Sequence, residues 1–221
     1  MSPVTSTATP DQYPRWSAAR TRGKTSRREQ ILAAAAELFA RHGFHGVGID
    51  DIGSAVGISG PGLYRHFRSK DAMLGEMLVT ISEKLLAGGR ERVARAADPQ
   101  EALGELVRWH IDFALDNPSL ITVHERNLAN LAEEDQRRVR ALQRAYVEVW
   151  VQVICQVVPD TEEPAARAAA HAVFGLLNST PHSAHLDRTA MAELLHRMAM
   201  AALTTPGAIA VSSEGDPAAS H

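Results

Sequence analysis

The stretch of residues 46–74 constrains the fold of this 221-residue chain more than any other. Ile52 and Val56 are four residues apart, so they share one face of a short helix. Gly57 then favours the left-handed conformation that commonly ends a helix. Ser59 follows as a residue suited to cap a second helix. The spacing predicts two short helices joined by a tight turn, with a longer helix directly after them.

Two short helices joined in this way form a helix-turn-helix, whose second helix enters the major groove of DNA. Leu63 and Phe67 are predicted to face inward. Gly60 and Gly62 lack side chains, so the backbone there is expected to approach DNA closely. Lys70 lies in the first turn of the next helix, where a bound phosphate would suit its charge. The predicted DNA-binding residues are Ser59, Gly60, Pro61, Gly62, Tyr64, Arg65, His66 and Lys70.

The segment IDDIGSAVGISGPGLYRHFRSKDAML resembles the DNA-binding domain of the TetR/AcrR family of transcriptional regulators. The resemblance covers residues 27–86, and its most specific parts are DDI, VGIS, LYRHF and SKD. Gly48 departs from the family pattern, which usually has a Ser or Thr cap at this position. We expect the cap of the first motif helix to be weakened by roughly a few tenths of a kcal/mol.

Composition indicates an all-α protein. Hydrophobic residues make up 45% of the chain, which is ample for a core, and alternating β-branched residues are scarce. No apolar run approaches the roughly 20 residues of a membrane span, and the first residues are too polar for a signal peptide. Cys155 is the only cysteine, so an intrachain disulfide is excluded. These features predict a cytoplasmic protein without membrane association and without a cofactor.

Charge is distributed unevenly along the chain. Residues 1–70 carry ten basic and five acidic side chains, whereas the remainder has a net charge of −8. A basic part joined to an acidic part fits a protein with one nucleic-acid face. The first residues include a group of basic side chains that either contacts DNA or forms a solvated tail. These side chains are Arg15, Arg20, Arg22 and Lys24.

Helical periodicity and loop-forming segments divide the chain into domains. Gly88 and Gly89 are expected to end a helix that links the two main domains. Asn117, Thr161 and Asp187 are expected to cap helices further along the chain. The predicted architecture is all-α, with about nine helices. In chain order we predict a disordered basic arm at 1–24, a helix-turn-helix domain at 25–70 with its motif at 49–67, the linking helix at 69–88, a larger ligand-binding and dimerisation domain at 89–204, and a disordered tail at 205–221.

Resemblance to the TetR/AcrR family also implies an assembly and a mode of regulation. Its members usually act as repressors, and the resemblance implies a homodimer held by the last two long helices of each subunit. Ala168, Ala172 and Ala201 on those helices permit close packing between subunits, and packing within one subunit is the alternative. Leu195 is predicted to lie at the dimer contact.

Aromatic and polar side chains on four helices of the C-terminal domain are candidates for an effector site. Facing inward, they would line one apolar cavity with a few polar groups, and a filled aromatic core is the alternative. Residues 124–150 resemble family members from lipid and acyl-thioester catabolism, which favours a lipophilic ligand such as an acyl coenzyme A, with His124 or Arg126 at its polar end. The predicted ligand-binding residues are Trp109, His110, Phe113, His124, Arg126, Tyr146, Trp150 and Phe174.

A helical enzyme or a metal-binding protein that uses the His-rich C-terminal domain is the rival interpretation. The chain has ten histidines, and His182 and His185 are three residues apart. However, the sequence has no HExxH motif, no cysteine pair and no G-x-S-x-G serine motif. We therefore predict no catalytic and no metal-ligating residues. The predicted partners are double-stranded operator DNA, a small-molecule effector and a second copy of the chain.

Overall fold

The computed structural model of the protein describes residues 26–183 and 185–205, and within these ranges it is all-α, as predicted. The predicted arm and residues 206–221 of the predicted tail lie outside the described residues. A 3₁₀ turn spans Leu128–Asn130. The helices are α1 Arg27–His42, α2 Ile49–Ala55, α3 Gly60–Leu63, α4 Lys70–Arg95, α5 Pro99–Asp116, α6 Pro118–Asn127, α7 Glu133–Val157, α8 Glu163–Leu177, α9 Thr180–Ser183 and α10 Arg188–Thr204.

Helices α1 to α3 and the first half of α4 form the head, which is built around one hydrophobic core. α1 begins in a capping box, in which the Ser26 hydroxyl accepts the Glu29 N–H at 3.2 Å and the Glu29 carboxylate accepts the Ser26 N–H at 2.8 Å. Each large apolar side chain that the head buries contributes about 1.5–3 kcal/mol. The fully buried ones are Ile31, Phe39, Ile52, Leu63, Met73, Leu74 and Leu78.

The turn between α2 and α3 has the predicted tight geometry. Gly57 has a φ of 69°, the left-handed conformation in which glycine carries no steric penalty. Gly53 is also required, because a Cβ on it would lie 2.6 Å from the Ile58 oxygen. Its carbonyl accepts the Ile58 N–H at 2.9 Å, which closes the turn. At the start of α2, the Asp51 carboxylate accepts the Gly48 N–H at 2.8 Å. Gly48 has no hydroxyl to return this bond, so the cap is one-sided.

α4 continues to Arg95, so the prediction that Gly88 and Gly89 end this helix is wrong. Both glycines are buried where α4 crosses α5 and α7. A Cβ on Gly88 would lie 2.5 Å from Trp109 Cε2, and a Cβ on Gly89 would lie 2.8 Å from Tyr146 Cε2. Each glycine is about 1 kcal/mol less favourable than alanine inside a helix. Their presence is explained by the two aromatic rings that lie against the backbone of α4.

The body consists of the second half of α4 and helices α5 to α10. Its main core is formed by α4, α5, α7, α8 and α10. Leu195 is 2% exposed and lies in this core, so its predicted place at a dimer contact is wrong. A side chain that its own subunit already buries is not available to a partner. Among the described residues, no helix is long and apolar enough to cross a membrane.

The helix caps predicted for the body are present only in part. Asp187 caps α10 as predicted, with its carboxylate accepting the N–H groups of Thr189 and Ala190 at 3.0 Å. Asn117 is the N-cap residue of α6 as predicted, but its side chain makes no cap bond and instead donates to a carbonyl of α5 at 3.0 Å. Thr161 lies one position before the N-cap of α8, which is Glu162 and makes no side-chain cap bond. The short α9 was not predicted.

Substitution of Gly88 tests the close approach of α5 to α4. Gly88→Ala should lower the free energy of unfolding by about 1–3 kcal/mol, because the new methyl group overlaps the rigid Trp109 ring. Gly104→Ala is the matched control, since the nearest side-chain atom to its Cβ would be Arg108 Nη1 at 3.4 Å. It should stabilise the protein by up to about 1 kcal/mol through helix propensity. Urea denaturation measures both, and equal effects would contradict the explanation.

Candidate DNA-binding face and effector site

α3 and the turn after it present side chains on the outer face of the head. Tyr64 is 56% exposed, and Pro61 and Arg65 are also exposed. The Ser59 hydroxyl caps α3 by accepting the Gly62 N–H at 3.4 Å. A phenol, a guanidinium and the Ser59 hydroxyl therefore lie on one surface, and all three are groups that bind bases or phosphates.

Of the predicted DNA-binding residues, one packs against the protein and two are half-buried. Gly60 is buried next to the Asp50 carboxylate, which a Cβ on Gly60 would overlap. Its missing side chain therefore makes room for α2, and the expected close approach of DNA to this glycine is replaced by packing between helices. Gly62 is half-buried, and His66 is half-buried with its carbonyl accepting a hydrogen bond from Arg28.

Lys70 is tied to the loop between α1 and α2. Its Nζ donates to the Phe44 carbonyl at 2.7 Å and to the Val47 carbonyl at 2.8 Å, and it lies 4.5 Å from the centroid of the Phe44 ring. An ammonium group has three donors, so these contacts use two of them. Lys70 thus anchors the start of α4, a role that the predicted phosphate contact did not include.

Arg28 joins three parts of the head and was not predicted from the sequence. Its guanidinium forms an ion pair with Glu76 of α4, with Nε 2.6 Å from Oε1, and donates to the carbonyl of His66. It also lies 4.1 Å from the centroid of the Phe67 ring. Hydrogen bonding to Glu76 raises the pKa of Arg28 above its ordinary value. These contacts fasten the end of residues 59–67, which we call the recognition segment, to α1 and α4.

Five of the eight predicted ligand-binding residues meet in the body, and we call them the His110 cluster. The imidazole of His110 stacks on the rings of Phe174 and Tyr146, with centroid distances of 4.9 and 5.9 Å. Phe113 and Trp150 approach the same imidazole edge-on, at 5.9 and 6.1 Å. Helices α5, α7 and α8 supply these side chains.

Hydrogen bonds hold His110 in one orientation. Its Nε2 lies 3.0 Å from Asn178 Oδ1, and its Nδ1 lies 3.4 Å from the Tyr146 hydroxyl. Because an amide oxygen only accepts, this arrangement assigns the proton to Nε2 and makes Nδ1 the acceptor. Burial lowers the pKa of His110 to about 4 and raises the pKa of Tyr146, so both rings are neutral at pH 7. The sequence did not predict Asn178, which lies just beyond the end of α8.

Trp150 carries a buried hydrogen-bond donor with no acceptor. Its side chain is 0% exposed, and its Nε1 has no hydrogen-bond partner among the described residues. The Tyr146 hydroxyl is nearby but outside hydrogen-bonding geometry. A buried polar group without a partner costs about 1–3 kcal/mol. This N–H is therefore a candidate contact for a ligand.

The other three predicted ligand-binding residues lie elsewhere. Trp109 packs on α4, where its Nε1 donates to a backbone carbonyl at 3.1 Å. His124 is hydrogen-bonded to Gln143, and burial lowers its pKa. Arg126 is exposed and reaches the Ala40 carbonyl of α1 at 3.5 Å. These side chains belong to helix contacts outside the His110 cluster, so the eight residues do not line one cavity.

The rings of the His110 cluster fill the space between their helices. Three cavities of about 360, 410 and 610 Å³ lie at other places, and none of them is lined by the five residues of the cluster. The largest lies between the head and the body, beside Arg28 and Glu76. The cluster is therefore the filled aromatic core that the sequence left as an alternative, and a ligand must displace a side chain to enter it.

Histidine and cysteine side chains show no sign of metal chemistry in the described ranges. No group of three or more His, Cys, Asp or Glu side chains there is arranged to hold a metal ion. Cys155 is half-buried and its Sγ lies 3.6 Å from the Thr161 carbonyl.

Acid titration tests the environment of His110. The unfolded chain binds a proton at an ordinary histidine pKa of 6.5, whereas the folded protein does so only at about 4. The free energy of unfolding should therefore fall as the pH decreases from about 6.5 to 4, by up to about 3 kcal/mol from this residue. His110→Gln should lose this part of the pH dependence in urea denaturation, and His182→Gln, with an exposed side chain, should keep it. Identical profiles for His110→Gln and the wild type would contradict the assignment.

Comparison with known proteins follows the division into head and body. The family model "Bacterial regulatory proteins, tetR family" matches residues 31–77, and "Tetracyclin repressor-like, C-terminal domain" matches residues 96–182. The repressor KstR2 of Rhodococcus jostii is 32% identical over 141 residues, which are 63% of this chain and 69% of that protein.

Two solved structures share the fold over 78% of this chain. A TetR-family regulator from Bordetella parapertussis is 26% identical with a TM-score of 0.71, covering 78% of this chain and 93% of that one. AibR, solved in complex with isovaleryl coenzyme A and operator DNA, is 20% identical with a TM-score of 0.66, covering 78% of this chain and 97% of that one. This second likeness shows the fold alone. With the family models and the relative from Rhodococcus, the chain belongs to the TetR family of transcriptional regulators.

Proposed function

We propose that the protein is a dimeric repressor that binds a two-fold symmetric operator and releases it when an acyl compound, such as an acyl coenzyme A, enters the body. The observation that carries this proposal is the contact of Tyr146 with Gly89. Tyr146 belongs to the His110 cluster, and Gly89 belongs to α4, the helix that begins directly after the recognition segment. A ring that moves in the cluster therefore acts on the helix that positions the head.

On the DNA side, Tyr64 and Arg65 are the side chains that we assign to the operator. Both are exposed on the outer face of the head. Base contacts specify a sequence, and the guanidinium fork of Arg65 suits the O6 and N7 acceptors of guanine. At the exposed start of α3, the Ser59 hydroxyl is assigned a hydrogen bond to a phosphate, and Pro61 a packing contact beside it. Phosphate contacts position the protein without reading sequence.

A second subunit supplies the second head. The outer faces of α8 and α10 carry exposed small and apolar side chains, including Ala168, Ala172 and Met198, which is 46% exposed. We assign the dimer contact to these faces, because a two-fold axis there would present two recognition segments to half-sites about one helical turn apart. Sedimentation as a monomer at micromolar concentration would contradict the dimer.

The effector site is assigned to the His110 cluster. The cluster is apolar, it contains a few polar groups at fixed positions, and no cation or anion lies among its five side chains, which suits a lipophilic ligand. The same fold binds isovaleryl coenzyme A and operator DNA in AibR. Trp109, His124 and Arg126 are left out of the site, because their hydrogen bonds go to other parts of the fold.

Release requires the ligand to bind one conformation better than the other. The ligand must favour the conformation whose two heads no longer match the spacing of the half-sites. Coupling between two sites is reciprocal, so operator DNA must weaken ligand binding by the same factor.

Two substitutions separate DNA contact from support of the head. Arg65→Ala should weaken operator binding by about 1–3 kcal/mol if the side chain reads a guanine, and should leave the stability unchanged. Lys70→Met should weaken binding to all sequences and lower the stability by about 2 kcal/mol, because two carbonyls lose a charged donor. Fluorescence anisotropy with operator and unrelated DNA, together with urea denaturation, measures both. A Lys70→Met protein of full stability with a flatter salt dependence would instead assign Lys70 to a phosphate contact.

Titration of ligands into the protein–operator complex tests the effector. Acyl coenzyme A thioesters, free fatty acids and flat aromatic compounds are the probes, and the operator affinity is the readout. Thioesters should release the DNA, and the operator should weaken thioester binding by an equal factor. Release by aromatic compounds alone would contradict the acyl ligand, and no release by any probe would contradict the effector site.

A further inference from the structure

Ring geometry in the His110 cluster singles out one side chain as removable. The rings of His110, Tyr146 and Phe174 are nearly parallel, with interplanar angles between 11° and 19°. Trp150 meets all three at 78° to 87°. His110, Tyr146 and Trp150 are buried, whereas Phe174 is half-buried. Phe174 is therefore the member of this stack that a ligand arriving from solvent meets first.

An acceptor can reach the unmet donor of Trp150 only from inside the cluster. The side chain of Trp150 is 0% exposed, so no path leads from solvent directly to its Nε1. The imidazole of His110 already uses both nitrogens, with the Tyr146 hydroxyl and Asn178. The Trp150 N–H is thus the one donor of these side chains that has no acceptor among the described residues.

We propose that Phe174 occupies the place taken by the carbonyl-bearing segment of the effector, and that this carbonyl accepts a hydrogen bond from Trp150 Nε1. The Phe174 centroid lies 4.9 Å from that of Trp150, nearer than the rings of His110 and Tyr146, at 6.1 and 6.2 Å. The assignment rests on the proposed effector site and names the chemistry that the site recognises.

A neutral carbonyl fits this position better than a carboxylate. An indole N–H donates a single hydrogen bond, and a buried carboxylate needs several donors or a cation to replace its hydration. Burial keeps His110 uncharged at pH 7, so it adds no positive charge. Arg92 is the cation whose charge acts on Tyr146, and its guanidinium is held by the Gly88 carbonyl at 3.1 Å and lies over the Trp109 ring. A thioester, ester or ketone needs only one donor. The site should therefore discriminate an acyl thioester from the corresponding free acid.

The test uses the space that Phe174→Ala vacates in the full-length protein. Acetophenone and α-methylstyrene have nearly the same shape, but only acetophenone has a carbonyl oxygen. Their dissociation constants are measured by calorimetry for Phe174→Ala and for Phe174→Ala with Trp150→Phe. The affinity ratio of acetophenone to α-methylstyrene should fall about 3- to 10-fold when the indole N–H is removed, the worth of one neutral hydrogen bond.

Phe113→Ala is the matched control, because it removes a ring of the same size from another edge of His110. In that background, Trp150→Phe should leave the ratio unchanged. Phe174→Leu replaces Phe174→Ala if circular dichroism shows that the alanine variant is unfolded. A ratio that is insensitive to Trp150→Phe in the Phe174 variant overturns the proposal, and so does an equal loss in the Phe113 control.

Ligand binding and the release of operator DNA are measured in separate experiments. A Trp150-dependent ratio without any change in operator affinity would support the carbonyl site and contradict the proposed release of DNA. Release of the operator by acyl thioesters, with a ratio that Trp150→Phe does not change, would support the proposed release of DNA and contradict the carbonyl site.

Discussion

Contact between two aromatic rings and the backbone of α4 fixes the helix that runs from the head into the body. It acts together with Val123 and Val139, which belong to the same core as the head. Trp109 and Tyr146 lie against Gly88 and Gly89, where any Cβ would overlap them. The interior of a protein is close-packed, so side chains on either side of such a contact do not move independently. α4 begins in the head and ends in the body, and the glycine pair is the point at which two other body helices act on its position.

In the head, two cations serve the structure of the DNA-binding face. α3 spans four residues, and a helix this short has little stability of its own. Leu63 packs beneath it, Arg28 fastens the turn after it, and Lys70 anchors the helix that follows. Two of the six lysine and arginine residues in residues 26–70 thus help to position Tyr64 and Arg65. Basic composition alone does not show whether a cation contacts DNA or supports the fold of the head.

In the body, the same side chains that stabilise the core form the candidate effector site. The His110 cluster is neutral, nearly closed to solvent and hydrogen-bonded except at one indole nitrogen. A ligand that enters must displace a ring, and the free energy of this displacement reduces its apparent affinity. Tyr146 stacks on Phe174 with a centroid distance of 5.8 Å and also lies against Gly89, so we expect a displaced Phe174 ring to act on α4 through Tyr146.

The sequence by itself determined the all-α class, the helix-turn-helix, the capping box at Ser26, the cap at Asp187 and the resemblance to the TetR family. These features depend on residues within about four positions of one another, where the helical period and local hydrogen bonds decide the outcome. Only the tertiary structure decided that Gly88 and Gly89 continue a helix, that Leu195 faces inward, that Arg126 contacts the head and that Asn178 holds His110. Each of these outcomes depends on a partner from another helix, and a local pattern carries no information about which side chain will meet it there.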